Sequence, residues 1–115
     1  MVKQGDIIKV NFNPQARHEQ PGYRPALVIS NNFINQKTNL TIVCPITNTN
    51  NRFPLHIPLD NRTETTGVIL CEHVKALDLN ARSYKIVEQL PKDLLEKVID
   101  VVFCEIEILS EEDSK

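Results

Sequence analysis

Short runs of β-branched and aliphatic residues, each closed by a turn signal, recur along most of this chain and limit what it can fold into. Residues 7–12 alternate after Gly5-Asp6, and residues 26–30 follow Pro21-Gly22 and Pro25. Residues 40–46 are rich in β-branched residues, and residues 53–59 alternate through Phe53, Leu55, Ile57 and Leu59. Residues 68–77 follow Gly67, and residues 84–90 close the series. Six short strands with loops between them predict a small antiparallel β-barrel or sandwich. Pro54 and Pro58 confine their run to a sheet edge or barrel rim, because a proline cannot donate to the ladder.

Only from Pro91 onward does the periodicity change. Leu94, Leu95, Val98, Ile99, Val101 and Val102 form an apolar stripe at helical spacing, with Lys92, Glu96, Lys97 and Asp100 on the wet side. Proline in the first turn and Asp93 near the positive end of the helix dipole mark the start. The spacing predicts a C-terminal helix over about 91–103 that covers one open face of the β-structure. Residues 1–109 read as a single domain, and residues 110–115 as a polar tail.

The 115 residues suffice for one core, and 41% apolar with 24% charged residues excludes global disorder. Aromatic residues make up 5% and Trp is absent, so Ile, Leu and Val must fill that core. No apolar run is long enough for a membrane-spanning helix. The early Asp6 leaves no apolar signal segment, so a cytoplasmic location and no membrane are expected. Residues 1–85 carry ten Lys/Arg against six Asp/Glu, whereas residues 86–115 carry three against nine. A basic body suits a polyanion on one face, although ordinary solvation also accounts for such a balance. The three cysteines, Cys44, Cys71 and Cys104, form no CxxC pair. Cys71 and His73 are spaced to share a strand face, but no second pair stands nearby, so no metal site is expected.

No glycine-rich phosphate loop, HExxH helix or nucleophile elbow is present. Chemistry must come from polar groups on two long loops, 13–23 and 47–52. Arg24 ends the first loop, and Pro25 holds it extended. Its planar guanidinium fits a phosphate in a bidentate fork, while the ordinary role of a lone surface Arg is a rim ion pair. Thr47 stands at the mouth of the second loop. Its hydroxyl can donate to a phosphate oxygen or bond its own backbone in a turn. Glu19 and His18 are the nearby groups able to transfer a proton.

The segment Gly5-Asp6-Ile7-Ile8-Lys9-Val10-Asn11-Phe12, followed by Glu19-Gln20-Pro21-Gly22-Tyr23-Arg24-Pro25-Ala26-Leu27-Val28-Ile29-Ser30, resembles the opening of the MazF/PemK toxin family. The likeness continues through Val43-Cys44-Pro45-Ile46-Thr47, through residues 68–78 and into the closing helix, spanning about residues 5–103. It implies a mainly β fold, an SH3-like antiparallel barrel with a C-terminal helix, assembled as a homodimer. It also implies a toxin–antitoxin endoribonuclease that cleaves single-stranded RNA at short sequences without metal or cofactor. The implied protein partner is a MazE-like antitoxin with a disordered acidic tail.

Carried onto this chain, the family's catalytic positions fall on Arg24 and Thr47. Its substrate loop falls on Glu19, Gln20, Pro21, Gly22 and Tyr23. Lys75 matches a basic position, and His73 stands where the family has Gln, which bears on base preference. The expected reaction is attack of a 2′-hydroxyl on the adjacent phosphorus, with Arg24 and Thr47 on the phosphate. Glu19 is then the first candidate for general base and His18 the second. Tyr23, Asn48 and Thr49 join His18, Gln20, Pro21, Gly22, His73 and Lys75 as candidate RNA-binding residues. Two alternatives share the architecture: a CcdB-like poison of DNA gyrase, and a barrel that binds RNA or peptide without cutting.

Overall fold

The alternating segments do form strands, and a computed structural model describes them over residues 1–13, 23–49 and 53–114. In chain order the elements are β1 (Asp6–Asn11), β2 (Tyr23–Val28), α1 (Asn32–Lys37) and β3 (Thr41–Thr47). There follow β4 (His56–Pro58), β5 (Val68–Leu70), β6 (Lys75–Leu77), a single 3₁₀ turn (Leu79–Ala81), β7 (Tyr84–Gln89) and α2 (Lys92–Ile106). The strands run β4-β5-β3-β2-β1-β7 across one sheet, with β6 also on β3, and every pairing is antiparallel. The architecture is thus mainly β with a C-terminal helix, as expected.

The stretch 68–77 is two strands instead of the single one its apolar run predicts. Both pair with the same edge of β3: Ile46 faces Ile69, and Val43 faces Lys75. Between those pairs, residues 44–45 of β3 face residues 70–74, so the longer side bulges outward at 71–74. Pro45 lies opposite that break and has no N–H to offer either neighbour. The polar connection 31–39 likewise contains a short helix. Asn31 caps it, its Oδ1 accepting from the Ile34 N–H at 2.9 Å. Asn35 exchanges hydrogen bonds with Ser30, whose Oγ also accepts from the Ile42 N–H. α1 is held by satisfied polar groups and not by an apolar stripe, so hydrophobic periodicity does not reveal it.

β1 is buried on both faces except at Lys9, and β2 over Ala26–Val28, and the alternation of their side chains separates two cores. Ile7, Leu27, Cys44, Ile46 and Ile69 face α2, which contributes Leu94 and Val98. Ile8, Val10, Ala26, Val28, Val43 and Leu77 pack on the other face. α2 begins as read, with Pro91 as its N-cap, but continues to Ile106. Arg62 fastens its first turn to the 60–66 loop, donating to both Asp60 and Asp93 at 2.8–3.2 Å. Those bonds hold both carboxyls below their usual range. Among the described residues, no helix is long and apolar enough to cross a membrane.

Candidate active site

The pairing of β2 with β3 decides where Arg24 and Thr47 stand. Ala26 faces Pro45, and continuing that register sets Arg24 across from Thr47 at the strand ends. Both line one open cleft of about 520 Å³, together with Tyr23, Pro25, Ile46, Asn48 and Thr49. The guanidinium of Arg24 is exposed and makes no ion pair or hydrogen bond with any described residue. No described residue therefore competes with an anion for it.

Thr47 uses its hydroxyl in a turn and keeps its proton. Oγ1 accepts from the Thr49 N–H at 3.2 Å, which fixes the oxygen and leaves O–H to donate into the cleft. Neighbouring Asn48 is held similarly: its Oδ1 accepts from the Thr66 hydroxyl at 2.9 Å, leaving its amide N–H groups for another acceptor.

The segment behind Thr47 is packed too closely for any side chain. Gly67 has φ +116°, and a Cβ there would lie 2.3 Å from the Thr47 carbonyl oxygen and 3.2 Å from the Asn48 nitrogen. The 64–66 turn that leads into it is organised by Glu88. Its carboxylate accepts from the Glu64 N–H, the Thr65 N–H and the Thr65 hydroxyl at 2.7–3.1 Å. Burial pushes the Glu88 carboxyl up, but those bonds outweigh it and hold it below the usual range. Gly67, Thr66 and Glu88 thus support the cleft, and nothing in their sequence context singled them out. A lone glycine before an apolar run was the one available signal.

The structure brings Tyr23, Arg24, Thr47, Asn48 and Thr49 together. His73 and Lys75 do not line this cleft. Lys75 lies on β6, its ammonium 6.0 Å from the centre of the Phe12 ring. His73 lies on the 71–74 bulge, 3.7 Å from Glu72. His18, Glu19, Gln20, Pro21 and Gly22 fall outside the described residues.

A second polar cluster sits beneath that bulge. His56, almost fully buried, meets the Glu72 carboxylate at 2.7 Å. Burial pushes the Glu72 carboxyl up, but the bond from His56, its own backbone N–H and the nearby His73 prevail and hold it low. Cys44 and Cys71 lie alongside, their thiols pushed up to about 12 chiefly by burial. Cys71 is buried and His73 exposed, so the turn that separates β5 from β6 also separates this pair. Among the described residues, no three His, Cys, Asp or Glu side chains are grouped to hold a metal.

The model of the PemK-like, MazF-like toxins of type II toxin–antitoxin systems matches residues 3–102. Endoribonuclease PemK of Escherichia coli is 32% identical over 102 residues, covering 85% of this chain and 77% of that protein. Endoribonuclease toxin MazF of Escherichia coli strain K12 is 37% identical over 78 residues, covering 68% and 69%. A chain in a crystal structure of MazE–MazF from Deinococcus radiodurans superposes with a TM-score of 0.83 at 30% identity, over 94% of this chain and 98% of that one. Cleft, fold and likeness agree, and the chain belongs to the PemK-like, MazF-like family of type II toxins.

Proposed function

We propose that this chain is the toxin of a toxin–antitoxin pair and an endoribonuclease that cuts single-stranded RNA at the Arg24–Thr47 cleft. The observation that carries the reading is one cleft lined by a guanidinium without a partner among the described residues and by a hydroxyl whose oxygen is fixed and whose proton none of them takes. Relatives are named endoribonucleases, which supports the same activity here. Membership of their family leaves the gyrase poison and the non-cutting barrel unfavoured.

In the reaction, the 2′-hydroxyl of one nucleotide attacks the adjacent phosphorus and its proton passes to a base. Negative charge then grows on the non-bridging oxygens of the phosphorane. Arg24 meets that charge with a forked donor, and Thr47 adds a hydrogen bond to the same phosphate. The bond to the 5′-oxygen breaks, leaving a 2′,3′-cyclic phosphate and a 5′-hydroxyl. Arginine holds its proton too tightly to serve as base, so Glu19 is assigned that role, with His18 as the alternative. The family resemblance implies a reaction without metal or cofactor, in which Arg24 meets the charge on phosphate. Tyr23, Asn48 and Thr49 line the cleft, where unpaired bases would stack or hydrogen-bond, and the family resemblance assigns Gln20, Pro21 and Gly22 to the same task. His73 on the 71–74 bulge and Lys75 on β6 are assigned to RNA binding by the family resemblance, outside this cleft.

The antitoxin is a MazE-like protein, a reading supported by the likeness to a MazE–MazF structure. Phe103, Ile106 and Leu109 leave an exposed apolar face near the end of α2 that suits a homodimer, acting in the cytoplasm. A monomer in sedimentation at micromolar concentration would rule the dimer out. Residues 1–109 form one domain in this reading, with 110–115 its tail.

The activity is tested by incubating a long unstructured RNA in EDTA with wild type and with Arg24→Ala. Wild type gives discrete fragments with 5′-hydroxyl ends. The variant is slower by about 10²-fold or more, the usual effect of removing one charged donor from a developing oxyanion. Intact RNA from folded wild type overturns the reading.

A further inference from the structure

β1 is buried at every position except one, Lys9. On the face of Ile7 and Leu27 the helix α2 covers the sheet. One step along that face stand Lys9 and its register partner Pro25, where the cover stops. An open groove of about 400 Å³ begins there, running between Lys9, Pro25 and Val87 on the sheet and Thr65 and Thr66 on the 60–66 loop. It shares Pro25 and Asn48 with the Arg24–Thr47 cleft, so the two form one continuous trough.

Lys9 also faces Lys85 directly in the β1–β7 pair. Both are exposed, and neither has an ion-pair or hydrogen-bond partner among the described residues. Like charges set directly opposite in a sheet are destabilising. No direct ion pair among the described residues relieves this repulsion, whereas a bound anion would. Asn48, at the junction of cleft and groove, has its carbonyl oxygen occupied by Thr66 and its amide donors open. The carboxylate lining the groove, Glu64, stands on the loop side and disfavours a phosphate there.

From these features we infer that the groove at Lys9, beside its partner Lys85, is a second phosphate subsite, holding the sugar–phosphate backbone of the RNA next to the nucleotide that is cut. Asn48 bridges the two subsites. The inference rests on the RNA-cleavage reading above and adds the path of the strand beyond the reacting phosphate. Lys9 and Lys85 act here in binding and not in the chemical step.

The test uses the full chain as wild type, the double substitution Lys9→Gln/Lys85→Gln, and Lys9→Arg/Lys85→Arg. Binding is read by fluorescence anisotropy on labelled single-stranded DNA, which keeps the phosphates but lacks the attacking 2′-hydroxyl. Cleavage is read on an RNA oligonucleotide. The Gln pair lowers the slope of log K against log salt by about 0.7, the share of one phosphate contact on a single strand. It raises KM several-fold with kcat little altered. The Arg pair restores both, and the Gln pair melts no lower than wild type because a repulsion has been removed. An unchanged salt slope and KM in the folded Gln pair overturns the subsite, as does a loss confined to kcat. Wild type that binds DNA but leaves RNA intact overturns the cleavage reading, while the slope still decides the subsite. Wild type that binds neither overturns both.

Discussion

Gly67→Ala is the sharpest probe of the cleft, because the structure gives its consequence at a distance from the reacting groups. The added methyl would lie 2.3 Å from the Thr47 carbonyl oxygen and 2.8 Å from its carbonyl carbon. Restoring an ordinary contact requires the Thr47–Asn48 peptide to retreat by about 1 Å. Thr47 Oγ1 moves with it, because the turn to Thr49 ties hydroxyl and backbone together. A displacement of about 1 Å at a positioned group costs roughly 10² in rate. The backbone at φ +116° adds strain of about 1–3 kcal/mol in stability. Gly5→Ala separates the two effects. Its φ is also positive, at +96°, but its methyl meets only the flexible end of Leu95 at 3.1 Å, away from the cleft. Both variants should melt lower, and only Gly67→Ala should lose about two orders of magnitude in single-turnover cleavage with protein in excess. A folded Gly67→Ala protein that cuts within a few-fold of wild type would refute the claim that the position of Thr47 limits the reaction.

Thr47→Val keeps the side-chain shape but removes the donor, and should lower kcat by about 10²–10³, while Thr47→Ser retains most activity. Equal activity of the Val and Ser variants would remove Thr47 from the chemistry. Cys44 and Cys71 are buried with thiols pushed up to about 12, whereas Cys104 is exposed. Iodoacetamide at mildly alkaline pH should therefore add a single label to native protein, at Cys104, and label all three cysteines after denaturation, as mass spectrometry would show. The Glu72 carboxyl is held below its usual range, so its contribution to stability is present above the ordinary Glu range and is lost as pH falls through the lowered value. In His56→Ala the main hydrogen bond is gone and only the backbone N–H and His73 still oppose burial, so thermal melts across pH should show that acid-side loss beginning at a higher pH. Superimposable pH profiles for variant and wild type would refute the assignment.

The strands were legible because burial on one or both faces writes period-2 alternation or apolar runs directly into β1, β2 and β3. The C-terminal helix was legible from its stripe, but its end was not. The stripe stops at Val102 where the core stops, while the backbone continues to Ile106 with Phe103 and Ile106 exposed. Neither the break between β5 and β6 nor α1 could be read. The first depends on what β3 offers along its far edge. The second depends on Ser30, Asn35 and Ile42 closing a polar network across 12 residues of sequence. Lys9 was visible only as the polar member of an alternating run. Its isolation on an otherwise buried strand and its confrontation with Lys85 require the register of β1 with β7.

Thr47 shows why the remainder of the site was harder to read. As a residue type beside an Asn-rich loop it invited two rival uses, a local turn or a hydrogen bond to phosphate, and composition favoured the turn. In the structure these uses fall on different parts of one hydroxyl. The turn consumes a lone pair, the chemistry requires the proton, and spending the first aims the second. The same distinction governs Arg24, whose ordinary employment would be a rim ion pair. An ion pair would occupy the donors that a phosphorane needs, and the described residues offer it none. What recommends both side chains for the proposed catalysis is thus which of their atoms the described residues leave unused. That property follows from the β2–β3 register and the packing of Gly67, not from residue type alone.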